Sequence, residues 1–370
     1  MTVSRRQCLG ALIGAPTLCG LRLAAQVSSK SAPSKFSMPG LFRGRVVAVE
    51  NAASIAAGQY QAEPIGEMVR RGMTALTGRE RADAWKLFFE PGDVVGIKVN
   101  PNGMGGGVIS SPELLRAIVA GLNSAGIPNR DIVVYERYRN AFNTAGIAKW
   151  LPEGVRSSSA AERYDAVQQG MEGYDPDHYM DLPLVLPGYD INDAHARRSY
   201  ASRFIASEVN KVINLPVLKD HSSAGVTLCL KNLSHGLVNN VSRSHISPTA
   251  NACGVFIPAV VSMPVIRDKV VLNILDGIKG LYHAGPVGNP KFVWEHRTLY
   301  FGTDPVAIDR IGLKVIDAKR LEMQMKPTSD AAPDEFDHFV HKQPEHIELA
   351  GAAGLGEFDE KKIDLRKIRL

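Results

Sequence analysis

Short continuous apolar runs alternate along this chain with segments whose apolar residues recur every three or four positions, the signature of strands alternating with helices. The run at 46–49 is a strand, and helical spacing follows over 65–76 and 79–89. Pro91 and Gly92 then turn the chain into DVVGIKVN at 93–100, apolar without interruption and so a strand covered on both faces. After the Gly-rich NPNGMGGGVISS, Ser111 and Pro112 open a helix as cap and first helical residue, with Leu114, Leu115, Ile118, Val119 and Leu122 on one side. The next strand is 131–135, which completes a β-loop-α-β unit of right-handed crossover.

Residues 152–200 are polar and rich in Gly, Pro, Asp and Tyr, and they read as an irregular insertion over one face or as an edge hairpin. Further strands are predicted at 212–217, 269–275 and 298–301, and helices within 249–262, from Asp304 and Pro305 onward, and over 344–353. The terminal KKIDLRKIRL suits an edge strand. The pattern predicts an α/β protein with a mostly parallel central sheet, flanking helices, βαβ units and one insertion.

The N-terminus changes the picture of where such a protein works. Arg5 and Arg6 precede an apolar stretch from Leu9 to about Leu23, and Ala24 and Ala25 offer a cleavage site. Residues 1–25 therefore read as a twin-arginine signal, 26–42 as a linker and 43–370 as a single α/β domain, with export to the periplasm or medium by the twin-arginine machinery. Removing Arg5, Arg6 and Arg22 leaves 40 basic against 38 acidic residues, so the mature chain has no electrostatic footprint for nucleic acid. No later segment approaches the length of a membrane span. Only Cys229 and Cys253 remain after the signal, too few for an iron–sulfur cluster of the ferredoxin type, though able to form one disulfide or to sit apart as small hydrophobes.

The densest chemistry lies in KVINLPVLKDHSSAGVTLCLKNLSHGLVNN at 211–240. Sites of α/β proteins gather just past the carboxyl ends of strands. His221 follows Asp220 at such an end, and an imidazole oriented by a carboxylate serves as general base or metal ligand. Lys219 and Lys231 flank it, and Lys98 ends the strand at 93–100, so three lysines are expected to converge on one cleft for a small anionic ligand. Asn100 and Asn232 join Lys98 as ligand-binding candidates, and Asp276, at the end of VVLNIL, joins His221, Lys219 and Lys231 as a catalytic candidate. Asp276 could equally begin the turn DGIKG. His221, His235 and His283 are candidate ligands for a divalent metal, with His245 nearby, although no HxH or HxxxH spacing supports one. Asp304 is a helix cap before it is a site residue, and Asp309, one turn on, could face the sheet.

The elements GDVVGIKVN, NLPVLKDHSSAGVTLCLKNLSHG, LNILDGIKGLYHAGP and LYFGTDPVAIDRIG, in this order, resemble the family called domain of unknown function 362, in its exported twin-arginine branch. The resemblance covers roughly residues 43–320. It implies a functional role for the LKxH element at His221, whereas the extra cysteines of many relatives, and any cluster they would hold, are missing here. The order of elements also resembles lactate-racemase-type proteins at the level of fold. The expected product is an enzyme in which His221 moves a proton on a carboxylate- or phosphate-bearing substrate, with or without a metal, or else a noncatalytic binding protein for a metal or anion.

Overall fold

In this computed structural model, residues 34–103 and 108–370 are described; the signal expected at 1–25 lies outside them, as does part of the expected linker. The apolar runs assemble into one ten-stranded sheet. Its main path runs Asp364–Arg369, Arg45–Glu50, Val293–Gly302, Val270–Leu281, Lys211–Asn214, Val95–Lys98, Ile132–Tyr135 and Arg156–Ser158. Neighbours pair in parallel except around Val293–Gly302, which is antiparallel to both of its partners. The terminal KKIDLRKIRL does form an edge strand, parallel to Arg45–Glu50.

Alternation along the strands divides the core in two. Val95, Ile97, Ile132, Val134, Ile213 and Ile274 face the helices Ala62–Thr77 and Pro112–Ser124. Val133, Tyr135, Val212 and Leu275 face Leu228–Leu237, Cys253–Val261 and Pro305–Glu322. Each fully buried aliphatic side chain contributes about 1.5–3 kcal/mol to this two-sided packing. Within 152–200, Arg156–Ser158 extends the main sheet at its edge, while Tyr174–Asp181 pairs with Arg198–Ser202 in a separate two-stranded sheet that packs Tyr174, Met180 and Tyr200 on the second face. Among the described residues no helix is long and apolar enough to cross a membrane.

Two adjacent parallel strands, Val95–Lys98 and Lys211–Asn214, send the helices that follow them to opposite faces. Their connections therefore part company above the carboxyl ends, and a crevice opens there.

Candidate functional site

The crevice is a cleft of about 490 Å³, lined by Lys98, Lys219, Lys231, Arg137 and the imidazoles of His221, His235 and His245 among others. Lys98 reaches it because its strand alternates: Val95 and Ile97 point to one core, so Lys98 points to the other face. The run 212–217, expected as one strand, is two. Lys211–Asn214 pairs with Val95–Lys98, and Pro216, which has no N–H to give a ladder, breaks the strand. Val217–His221 then continues against Val270–Leu281, its end also pairing antiparallel with Gly225–Val226, and Lys219 and His221 line the cleft. Lys219 and His221 share one face of this segment, and Asp220 takes the other.

Lys231, Asn232 and His235 sit on the helix Leu228–Leu237, which the alternating apolar residues of TLCLKNL had concealed. The Asp309 carboxylate accepts hydrogen bonds from Cys229 N (2.7 Å) and Leu230 N (2.9 Å), supplying the start of this helix with the acceptor it needs. Asp304 caps its own helix by accepting from Ala307 N (2.9 Å). Both aspartates of the DPVAID element are thus structural. At Gly236 a Cβ would lie 2.3 Å from Lys98 Cε, so any larger residue there would have to displace the end of the lysine.

A chain of buried amides locks helix to strands. Lys219 Nζ donates to Asn100 Oδ1 (2.9 Å) and to the Asn102 carbonyl, and Asn100 Nδ2 donates to Asn232 Oδ1 (3.1 Å). Asn232 Nδ2 then donates to Asn214 Oδ1 (2.8 Å), and Asn214 Nδ2 to Asn273 Oδ1 (2.9 Å). Asn100 and Asn232 line the cleft, but these bonds occupy them in positioning Lys219 and the helix. Asn214 and Asn273 were not singled out from the sequence, although a lone amide inside VINL and VVLNIL was a visible signal.

Charge in the cleft is lopsided. Lys98 Nζ pairs with Glu136 (2.7 Å), and Arg137 spends its donors on the neutral Tyr174 hydroxyl, Gln168 side chain and His235 carbonyl. Glu136 and Arg137 follow the strand Ile132–Tyr135 directly, and the strand-end rule applied to 219–235 would have found them too. Among the described residues, neither Lys219 nor Lys231 has a carboxylate within ion-pair distance. Burial, with Lys231 nearby, lowers the Lys219 ammonium to about 7, and burial lowers Lys231 to about 8. The imidazoles of His221 and His235 are pushed well below the ordinary value by burial and by Lys231, and His245 by burial to about 4. All three rings are neutral near pH 7.

His221 Nδ1 accepts from Ser223 N (3.1 Å) and Ala224 N (3.3 Å). A neutral ring that accepts at Nδ1 carries its proton on Nε2, so toward the cleft it is a hydrogen-bond donor rather than a base. This geometry replaces the expected general base, and it also withholds the lone pair that a metal would need at Nε2. Asp220 does not orient the ring: its carboxylate accepts from Gly285 N (2.8 Å) on the opposite side of the strand.

Two further expectations are corrected. Asp276 lies outside the cleft, on the face of Ile274 and Ile278, where it accepts from Ser111 N and Ser111 Oγ (2.8 Å each) at the start of Pro112–Ser124. Ser111 is therefore a donor to Asp276, and its hydroxyl does not cap the helix. His283 is remote from His221 and His235, in a second buried cluster with Asp220 and Asp337. The donors that do approach one another are His235 and His245 of the cleft lining and the buried Cys253 behind them, all within 4.8 Å, a set that could hold a metal. The Ser244 hydroxyl bonds His235 Nε2 and His245 Nδ1 at 3.0 Å each and so links the two rings. Cys229 and Cys253 are free thiols, both buried.

No curated protein matches the chain. Among solved structures it is similar to the lactate racemase apoprotein from Thermoanaerobacterium thermosaccharolyticum, at 11% identity and a TM-score of 0.35, over 74% of this chain. The match spans 57% of that chain, and a likeness so remote carries nothing about activity. Residues 95–314 match the family described as a domain of unknown function, DUF362, more than half of the 370 residues and all of the elements that build the cleft floor, and the chain belongs to that family.

Proposed function

We propose that the cleft binds a small carboxylate- or phosphate-bearing ligand and performs acid–base chemistry on it. The observation that carries this is the pair of buried ammonium groups, Lys219 and Lys231, left without carboxylate partners at the floor of an open cleft. A buried charge costs several kcal/mol when unpaired, and an anion entering from solvent supplies the missing partner. Lys231 holds the anion, the His221 Nε2–H donates to an oxygen where negative charge develops, and Lys219, poised near neutrality, takes or gives the proton. Isothermal titration with phosphate, acetate and malonate tests the binding step. Lys231→Met is expected to weaken the best of these by about tenfold or more, which is about 1.4 kcal/mol. Unchanged affinity in that variant would count against the cleft as an anion site.

A second reading, metal capture without chemistry, is favoured by the close approach of His235, His245 and Cys253. Elemental analysis of natively produced protein separates the two: a stoichiometric metal lost in His235→Ala with Cys253→Ser supports capture, and metal-free protein removes it. Export is part of the proposal on the strength of Arg5, Arg6 and the apolar stretch behind them. Arg5→Lys with Arg6→Lys should leave the protein in the cytoplasmic fraction; a periplasmic pool that persists unchanged would refute twin-arginine transport.

A further inference from the structure

The cleft is larger than its cationic floor requires. Its volume of about 490 Å³ is in the range of about 300–1,000 Å³ typical of pockets for whole organic ligands, and its outer part is built differently from its base. Tyr138 and Tyr164 form one outer wall, ring centroids 6.1 Å apart at 70°, an edge-to-face corner. The Arg137 guanidinium lies 4.8 Å from the Tyr138 ring centre and joins that wall to the floor. Pro286 and Val287 also line the mouth. Tyr164 is 63% exposed and Val287 55%, so two large apolar groups stand in water at the entrance to a charged site.

Resting on the anion-binding reading above, we propose that the natural ligand is an aryl or heteroaryl anion, a carboxylate or phosphate carried on a flat unsaturated ring. The acidic group reaches Lys219 and Lys231 while the ring lies in the corner of Tyr138 and Tyr164. Flat rings fill edge-to-face and stacked positions at aromatic walls that a flexible chain does not, and the Arg137 guanidinium extends the same kind of surface.

Two series measured by isothermal titration on the full mature protein test this: inorganic phosphate, phenyl phosphate and hexyl phosphate, and acetate, benzoate and hexanoate. The expected result is that the phenyl member of the better series binds about tenfold or more tighter than its bare anion, and tighter than the hexyl member. Tyr164→Ala should abolish that gain while leaving the bare anion's affinity unchanged, and because Tyr164 is exposed the variant folds. A bare anion that binds with no gain from the ring overturns the aryl proposal and leaves the anion site standing. Equal gain from phenyl and hexyl overturns it as well, showing only an apolar mouth. Failure of every probe, bare anions included, overturns both.

Discussion

Asp220 and His221 are neighbours in sequence and belong to two different polar centres, one on each side of the same short strand. On the Asp220 side, Lys342 Nζ lies 2.5 Å from Asp337 and 3.7 Å from Asp220, and His283 Nε2 lies 2.8 Å from Asp334 while its Nδ1 faces Arg320 (3.3 Å). Acidic and basic groups alternate there in a cluster that is buried except at Asp334. On the His221 side, basic groups outnumber acidic ones and the cluster opens to solvent. The first centre sets Lys342 against Asp337 and Asp220 and fastens residues 334–342 to the sheet; the second leaves Lys219 and Lys231 without carboxylates, and it is there that the proposed ligand would bind. Buried charge alone does not separate a site from a fastening. What separates them is whether the charges are matched within the protein and whether there is room beside them.

The comparison breaks most visibly at Lys342. Lys342→Met strands two buried carboxylates and should cost about 3–5 kcal/mol, read as a Tm lowered by more than about 5 °C, with anion affinity intact in the protein that remains folded. Lys231→Met should do the reverse. It removes a buried ammonium with no carboxylate partner, so Tm should hold or rise by about 1–3 °C. The folded state releases the Lys231 proton at about pH 8 and the unfolded chain only at the ordinary lysine value. The unfolded state therefore binds more protons between those values, native stability climbs with pH across that window, and Lys231→Met flattens the climb. The smallest effect sharpens the cleft itself. An anion prefers the protonated lysines, so affinity should be level only below about pH 6 and fall several-fold toward about pH 9 as Lys219 and then Lys231 lose their protons, with Lys219→Met abolishing the earlier part of the fall. Affinity that stays constant over this range would mean the ligand does not meet these ammonium groups.

Much of the fold was legible because strand and helix periods differ so plainly in DVVGIKVN and in the segment after Pro112. The helix Leu228–Leu237 was not, since it is buried almost throughout, its polar Lys231 and Asn232 included, and the alternation in TLCLKNL imitates a strand. Lys98, Lys219, Lys231, His221 and His235 were grouped by their positions at strand ends and in one dense run of chemistry, and all five line one cleft. Asp276 and His283 were misplaced because the length of a strand and the side each residue takes decide the matter, and Val270–Leu281 continues well past its predicted end at 275. The orientation of His221 depends on two backbone N–H groups, Ser223 and Ala224, which no pattern of side chains reveals.

The amide chain beneath the cleft has a consequence for the order of events in folding. Asn100 meets Lys219 across 119 positions of sequence and Asn232 across 132, through parallel pairings that close only after long loops have been ordered. Contacts of such separation are costly in chain entropy and form late. Until Val95–Lys98 and Lys211–Asn214 lie side by side, the lysines are scattered along a solvated chain and feel no crowding. If the cleft takes the proposed anion, its occupancy would report that the chain has finished folding, because only the finished state gathers these lysines.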